Sequence, residues 1–167
     1  ITPDNFGRIL SSTNLCNKSD EWLTKLYKFL ISRKGLYQKG TKYDREGAFW
    51  NKPIFRTSKN EQTAGFDLEG NPLIYLPSNS GQGTLPVLKA NFMNTPTNVD
   101  FFHKFGLKKQ DKSDLIIKTI LPKYGKRIIP RKENIDDVYT ILDTVNKITN
   151  KKKKDELLSI IQETKIL

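Results

Sequence analysis

Lys52-Pro53-Ile54-Phe55-Arg56-Thr57, then Gln62-Thr63-Ala64-Gly65-Phe66, then Pro72-Leu73-Ile74-Tyr75-Leu76 make up the stretch that decides the fold class. These short apolar runs are separated by Ser58-Lys59-Asn60 and Glu69-Gly70-Asn71, compositions that turn a chain. A fourth run, Pro86 to Ala90, follows the loop Ser78 to Gly83. The expectation is a small antiparallel meander of about four short strands over residues 52–90. Pro53, Pro72, Pro77 and Pro86 sit at run ends, where a missing amide donor is tolerated. Gly81-Gln82-Gly83-Thr84 leads into the strand-like Leu85-Pro86-Val87-Leu88. A phosphate loop would lead into a helix N-terminus, so this one reads as a surface loop.

On the N-terminal side the pattern is helical through residue 35. Ser19 suits an N-cap, Asp20 and Glu21 suit the positive end of the helix dipole, and Trp22, Leu23, Leu26, Phe29 and Leu30 form one apolar stripe. A shorter helix is expected over Phe6 to Leu10, capped by Asp4, and a connector from Gly35 to Asn51. Residues 96–167 read as helical throughout. Thr97 with Asp100 has capping-box spacing and Gly106 is placed as a helix stop. Asp111 or Ser113 opens the next helix, which should end at Pro122. Asn134 opens a third, with Ile135, Val138, Ile141, Leu142, Val145 and Ile148 on its apolar face, and Asp155 to Gln162 gives a fourth. The fold class is therefore α+β, one module over residues 1–167 with a single core, as suits this length. The start at Ile1 and the end inside a helical pattern are expected of a piece of a larger protein.

Composition narrows the chemistry. Cys16 is the only cysteine and His103 the only histidine, which leaves no internal disulfide, no zinc cluster and no thiol or imidazole dyad. A reducing, cytoplasmic setting fits, and no apolar run is long enough to span a bilayer. His103, among Phe101, Phe102 and Phe105, is expected to be partly buried and satisfied by one hydrogen bond. Cys16 has no neighbouring base to activate it. The acid pairs Asp20/Glu21, Asp111/Asp114 and Asp136/Asp137 each fall in an expected first helical turn, which explains them without catalysis. No catalytic residue and no metal ligand are assigned.

The charge is more informative. Net charge is +11, from 29 Lys and Arg against 18 Asp and Glu. Lys104, Lys108, Lys109, Lys112, Lys118, Lys123, Lys126, Arg127, Arg131 and Lys132 face only Asp111 and Asp114 in the same stretch, so +8 of the total lies there. With Tyr124 and the Gly125-Lys126-Arg127 turn, this block could grip a nucleic-acid backbone. The plainer reading is a solvated face, or a basic loop that docks on an acidic neighbouring domain.

Several segments, in order, resemble one family. They are Ser19-Asp20-Glu21-Trp22-Leu23 with Leu26-Tyr27 and Phe29-Leu30, Pro53-Ile54-Phe55-Arg56-Thr57, Ile74-Tyr75-Leu76-Pro77, and Phe101-Phe102 with Phe105-Gly106-Leu107. Ile120-Leu121-Pro122-Lys123-Tyr124 and Glu163-Thr164-Lys165-Ile166-Leu167 complete the set. Together they are similar to the region that follows the ATPase domain in sacsin-like members of the GHKL ATPase superfamily, large bacterial proteins included. Phe55 stands where that pattern has isoleucine. The resemblance implies a segment downstream of an ATP-binding domain. Taken with the lack of a catalytic constellation in these residues, the expectation is a non-catalytic structural and coupling module that relays nucleotide state from that domain to other domains of the same protein. The resemblance implies ATP and Mg in the parent protein and no cofactor in these residues. It also raises Arg56 as a residue that reaches the neighbour's nucleotide in trans.

Overall fold

The computed structural model describes residues 2–41, 46–78, 85–124 and 129–164. Packing divides the chain into two units, Ile1–Gly81 with Pro86–Lys109, and Gln82–Leu85 with Gln110–Leu167. Each has its own cluster of buried apolar side chains, where a single core was expected from length.

The first unit opens with α1 (Pro3–Ile9) and α2 (Ser12–Cys16). Thr2 caps α1 by accepting from the Asn5 amide, and Asp4 lies inside the helix because Pro3 occupies its first position. Then comes α3 (Asp20–Leu30), capped by Ser19 Oγ, which accepts from the Trp22 amide at 3.2 Å. Leu23, Leu26, Tyr27 and Leu30 form its buried face.

Tyr27 stands at the centre of the first core. Its ring stacks on Phe101 with centroids 5.4 Å apart and meets the edge of Phe102 at 5.1 Å. Its hydroxyl donates to the Ile54 carbonyl at 2.8 Å, and burial pushes that hydroxyl's pKa up. Phe55, Tyr37, Trp50, Phe66 and Phe105 extend the aromatic cluster. A fully buried Phe contributes about 2–3 kcal/mol relative to exposure. A net backbone hydrogen bond contributes about 1 kcal/mol, so the rings and not the sheet hold this unit together.

The sheet is smaller than expected. β1 (Phe55–Arg56) pairs antiparallel with β2 (Gln62–Thr63), with Phe55 opposite Thr63 and Arg56 opposite Gln62. The turn between them uses Asn60 at φ 63°, a conformation asparagine tolerates better than most side chains. The two further strands expected at 72–76 and 86–90 are corrected to isolated bridges: Phe66 to Pro72, Tyr75 to Val87, Leu76 to Lys109 and Thr57 to Leu88. Pro72 and Pro86 remove donors within those runs, and each extended residue finds a different partner, so no ladder propagates. Ala90–Asn94 turns into a 3₁₀ helix.

The helix α4 (Pro96–Phe105) begins one residue before the expected Thr97 cap. Pro96 supplies the pre-formed first turn, and Asp100 pairs with Lys104 at 3.0 Å instead of closing a capping box. Gly106 ends the helix at φ 100°, and the Leu107 amide donates to the Phe102 carbonyl at 2.9 Å.

In the second unit α5 (Lys112–Leu115) starts with a capping box between Asp111 and Asp114. It runs through a π turn (Ile116–Ile120) into α6 (Leu121–Tyr124), passing the expected stop at Pro122. The Leu121 amide donates to the Ile116 carbonyl, a wider ring that lets a residue without an amide hydrogen follow. α7 (Arg131–Lys147) starts directly after Pro130, three residues before the expected Asn134. Its buried face is Asp137, Ile141, Thr144 and Val145, which leaves Ile135, Tyr139 and Leu142 exposed. α8 (Lys151–Glu163) starts four residues before the expected Asp155, because Asn150 Oδ1 accepts from the Lys153 amide. Four lysines then stand at the positive end of the helix dipole, and Lys153 offsets this by pairing with Asp111. Among the described residues, no helix is long and apolar enough to cross a membrane.

A Cβ added at Gly65 would press into the edge of the Phe105 ring and sit 3.1 Å from Phe55 Cε2. Gly65→Ala should therefore destabilise the first unit by about 1–3 kcal/mol. Denaturant unfolding followed by tryptophan emission checks this, since Trp50 stacks on Phe105.

Candidate functional site

Arg56 is a buried side chain of the first unit bonded on several sides. At 6% exposure on β1, it places Nη1 2.6 Å from Asp20 Oδ1. Its Nη2 donates to the carbonyls of Lys18 at 2.6 Å and Leu15 at 3.1 Å. With the Gln62 amide turned so that its oxygen faces the guanidinium, that oxygen accepts from Nε and Nη2, each at 2.9 Å. The second Asp20 oxygen takes Lys89 Nζ at 2.8 Å and Asn91 Nδ2 at 2.7 Å. Burial works against the Asp20 charge, but the hydrogen bonds from Lys89, Asn91 and Arg56 outweigh it and hold this carboxyl below the usual range. The cluster ties the α2–α3 loop, the start of α3, both strands and the segment before α4 into one frame. The expected contact of Arg56 with a nucleotide in trans is thereby corrected: its donors point inward to Asp20 and to main-chain carbonyls.

A second cluster lies in the second unit. Lys123 Nζ is 3.0 Å from Glu133 Oε1 and 3.1 Å from Asp137 Oδ2, and the Tyr124 hydroxyl donates to the same Asp137 oxygen at 3.3 Å. Burial works against the Lys123 ammonium, but the two carboxylates outweigh it and raise its pKa. Burial, followed by the Asp137 charge, raises that of Tyr124. Asp137 was expected in a first helical turn with Asp136. Because α7 begins at Arg131, it falls in the second turn on the buried face, which explains both its burial and its partners. Its spacing to Ile141 and Thr144 is the signal in the sequence that could have revealed it.

The basic block is divided between the two units. Lys104, Lys108 and Lys109 belong to the first unit, and Lys112, Lys118, Lys123, Arg131 and Lys132 to the second. Lys104 pairs with Asp100, Lys112 with Asp143 at 2.9 Å, and Lys123 with Glu133 and Asp137. Lys108, Lys109, Arg131 and Lys132 are exposed, and Lys118 is half-buried. Lys126 and Arg127 lie outside the described residues, as does the loop Gly81 to Thr84. His103, expected to be partly buried, is exposed on α4 while its phenylalanine neighbours turn inward. Cys16 is exposed, its Sγ donating to the Thr13 carbonyl. Among the described residues, no three His, Cys, Asp or Glu side chains are grouped so that they could hold a metal ion.

In comparisons with known proteins, the chain matches no family model, no curated protein and no solved structure.

Asp20→Asn leaves a buried guanidinium without its counter-charge. The cost should be on the order of 2–3 kcal/mol, below that of a fully buried pair because Asp20 keeps a fifth of its side chain exposed. The pH dependence follows from the sign of the shift. A carboxyl with a depressed folded pKa contributes its full stability above the unfolded value of about 3.9 and loses it as pH falls through the folded value. Chemical denaturation between about pH 5 and pH 2 should therefore show a smaller loss of stability for Asp20→Asn than for the parent chain.

Proposed function

We propose that this chain is a non-catalytic structural and coupling module of a larger cytoplasmic protein. The observation that carries the reading is the division into two separately cored units, each with an ionic cluster directed at its own interior. Units with separate cores in one chain move relative to each other by default, which is the physical basis for relaying a change in a neighbouring domain. The titratable side chains that are most firmly held, Asp20, Lys123 and Asp137, are bonded to structural partners. The resemblance to the region after the ATPase domain of sacsin-like proteins supplies the neighbour. ATP and Mg would be held there, and its nucleotide state would be the signal.

Nucleic-acid binding through Lys104 to Lys132 is the weaker alternative, because Lys104, Lys112 and Lys123 already face carboxylates. An ATPase-bearing parent polypeptide separates the two readings. Asp137→Ala, which removes the partner of Lys123 and Tyr124, should change its ATP turnover at least about twofold, a free-energy change near 0.4 kcal/mol. Unchanged turnover, together with salt-dependent DNA binding lost on replacing Lys123, would reverse the order of the two.

A further inference from the structure

The solvent-side edge of α3 alternates cations with half-buried aromatic rings. Trp22, Lys25 and Phe29 follow one another at three- and four-residue spacing, which places them on one edge of the helix. A cation flanks this edge at each end: Lys18 Nζ lies 5.6 Å from the centroid of the Trp22 ring, and the Arg33 guanidinium 4.1 Å from that of Phe29. Arg33 is anchored there, its Nη1 donating to the Phe29 carbonyl at 2.9 Å and to Ser32 Oγ at 3.2 Å. Lys28 is exposed beside the edge. Lys18, Lys25 and Lys28 are exposed, and Glu21 stands one turn before Lys25, near enough to interact with its charge.

We propose that this edge is a contact surface for single-stranded nucleic acid, with the lysines following the phosphates, Trp22 offering its ring face to one base and Arg33, held over Phe29, offering its guanidinium plane to another. Cations in line with stacking rings are the combination such strands need. Trp22 and Phe29 are seven residues apart, about 10 Å along the axis at ~1.5 Å per residue. That distance spans roughly three stacked base steps of ~3.4 Å. Lys18 sits on its ring by a weak contact that a flexible stem gives up readily when a phosphate is near. A bilayer fits less well, because the apolar face it would need, Leu23, Leu26, Tyr27 and Leu30, is already buried in the core. An acidic peptide would engage the cations and leave the rings unmatched.

The test is a low-salt titration of the intact chain with an oligothymidylate of about twelve nucleotides, read by tryptophan emission. Trp50 is 9% exposed and stacked on Phe66 and Phe105, so a change on binding reports on Trp22. The expected result is quenching and affinity that falls steeply with salt. Lys25→Glu with Lys28→Glu should weaken binding about tenfold or more and flatten the salt slope by about 1.4, at ~0.7 for each phosphate no longer neutralised. Both positions are exposed, so far-UV circular dichroism should be unchanged. Trp22→Phe should abolish the quench and weaken binding in a filter assay, since the smaller ring offers a base less area to stack on. Arg131→Glu with Lys132→Glu should leave affinity unchanged. The proposal is overturned by no binding at low salt, or by affinity that survives the Lys25/Lys28 reversal. It is equally overturned by loss of binding on the Arg131/Lys132 reversal alone, or by the same quench with heparin or anionic vesicles.

Discussion

A guanidinium at 6% exposure has to meet its counter-charge inside the protein, and Arg56 dictates much of the first unit for that reason. Leaving such a charge without its partner costs about 2–3 kcal/mol here, a sizeable share of the stability of an ordinary domain. Asp20 must therefore stand at the start of α3, and the α2–α3 loop must turn its Leu15 and Lys18 carbonyls toward β1. Ser19 caps α3 at the same point, so the direction of the helix and the position of the carboxylate are set together. From there Tyr27 reaches the Ile54 carbonyl, next to β1, and brings the α3 face against Phe101 and Phe102 of α4. Two residues per strand suffice because the side chains on either side hold the strands in place.

The second unit is assembled differently. Its core is aliphatic, built from Ile116, Ile120, Leu121, Ile141, Val145 and Leu157. Its ionic cluster joins α6 to α7 across the chain around Pro130, with Lys123 between Glu133 and Asp137. The π turn before Leu121 places Lys123 and Tyr124 within reach of that second carboxylate. Each unit thus has its own core and its own ionic cluster, and the proposed coupling role rests on this division.

Much of this was legible in the sequence where local signals agree. The Ser19 cap, the Gly106 stop and the helix start at Asp111 each depend on residues within one or two turns and lie where such signals place them. The expected α3 stripe is buried at Leu23, Leu26 and Leu30, but it missed Tyr27, and Trp22 and Phe29 are only half-buried. Strand extent was not legible, because whether Tyr75 or Leu88 joins a ladder depends on partners far away in the chain. Pro122 misled because a π turn, set by packing of Ile116 and Ile120, removes the usual conflict between proline and helix. The ionic clusters were hidden for the same reason as the strands: Arg56 and Asp20 are 36 positions apart, and Lys123 and Asp137 are 14. Charge density marked the stretch from Lys104 to Lys132 as a surface, yet several of its cations face carboxylates.

Native-state hydrogen exchange against denaturant tests the two-body account most directly, because amides that open together share a free energy and a slope. Amides of α3 and α4 should converge on one opening, and those of α7 and α8 on a second with a smaller slope. Convergence of all four helices on one free energy and one slope would contradict it, since the chain would then open as a single cooperative body.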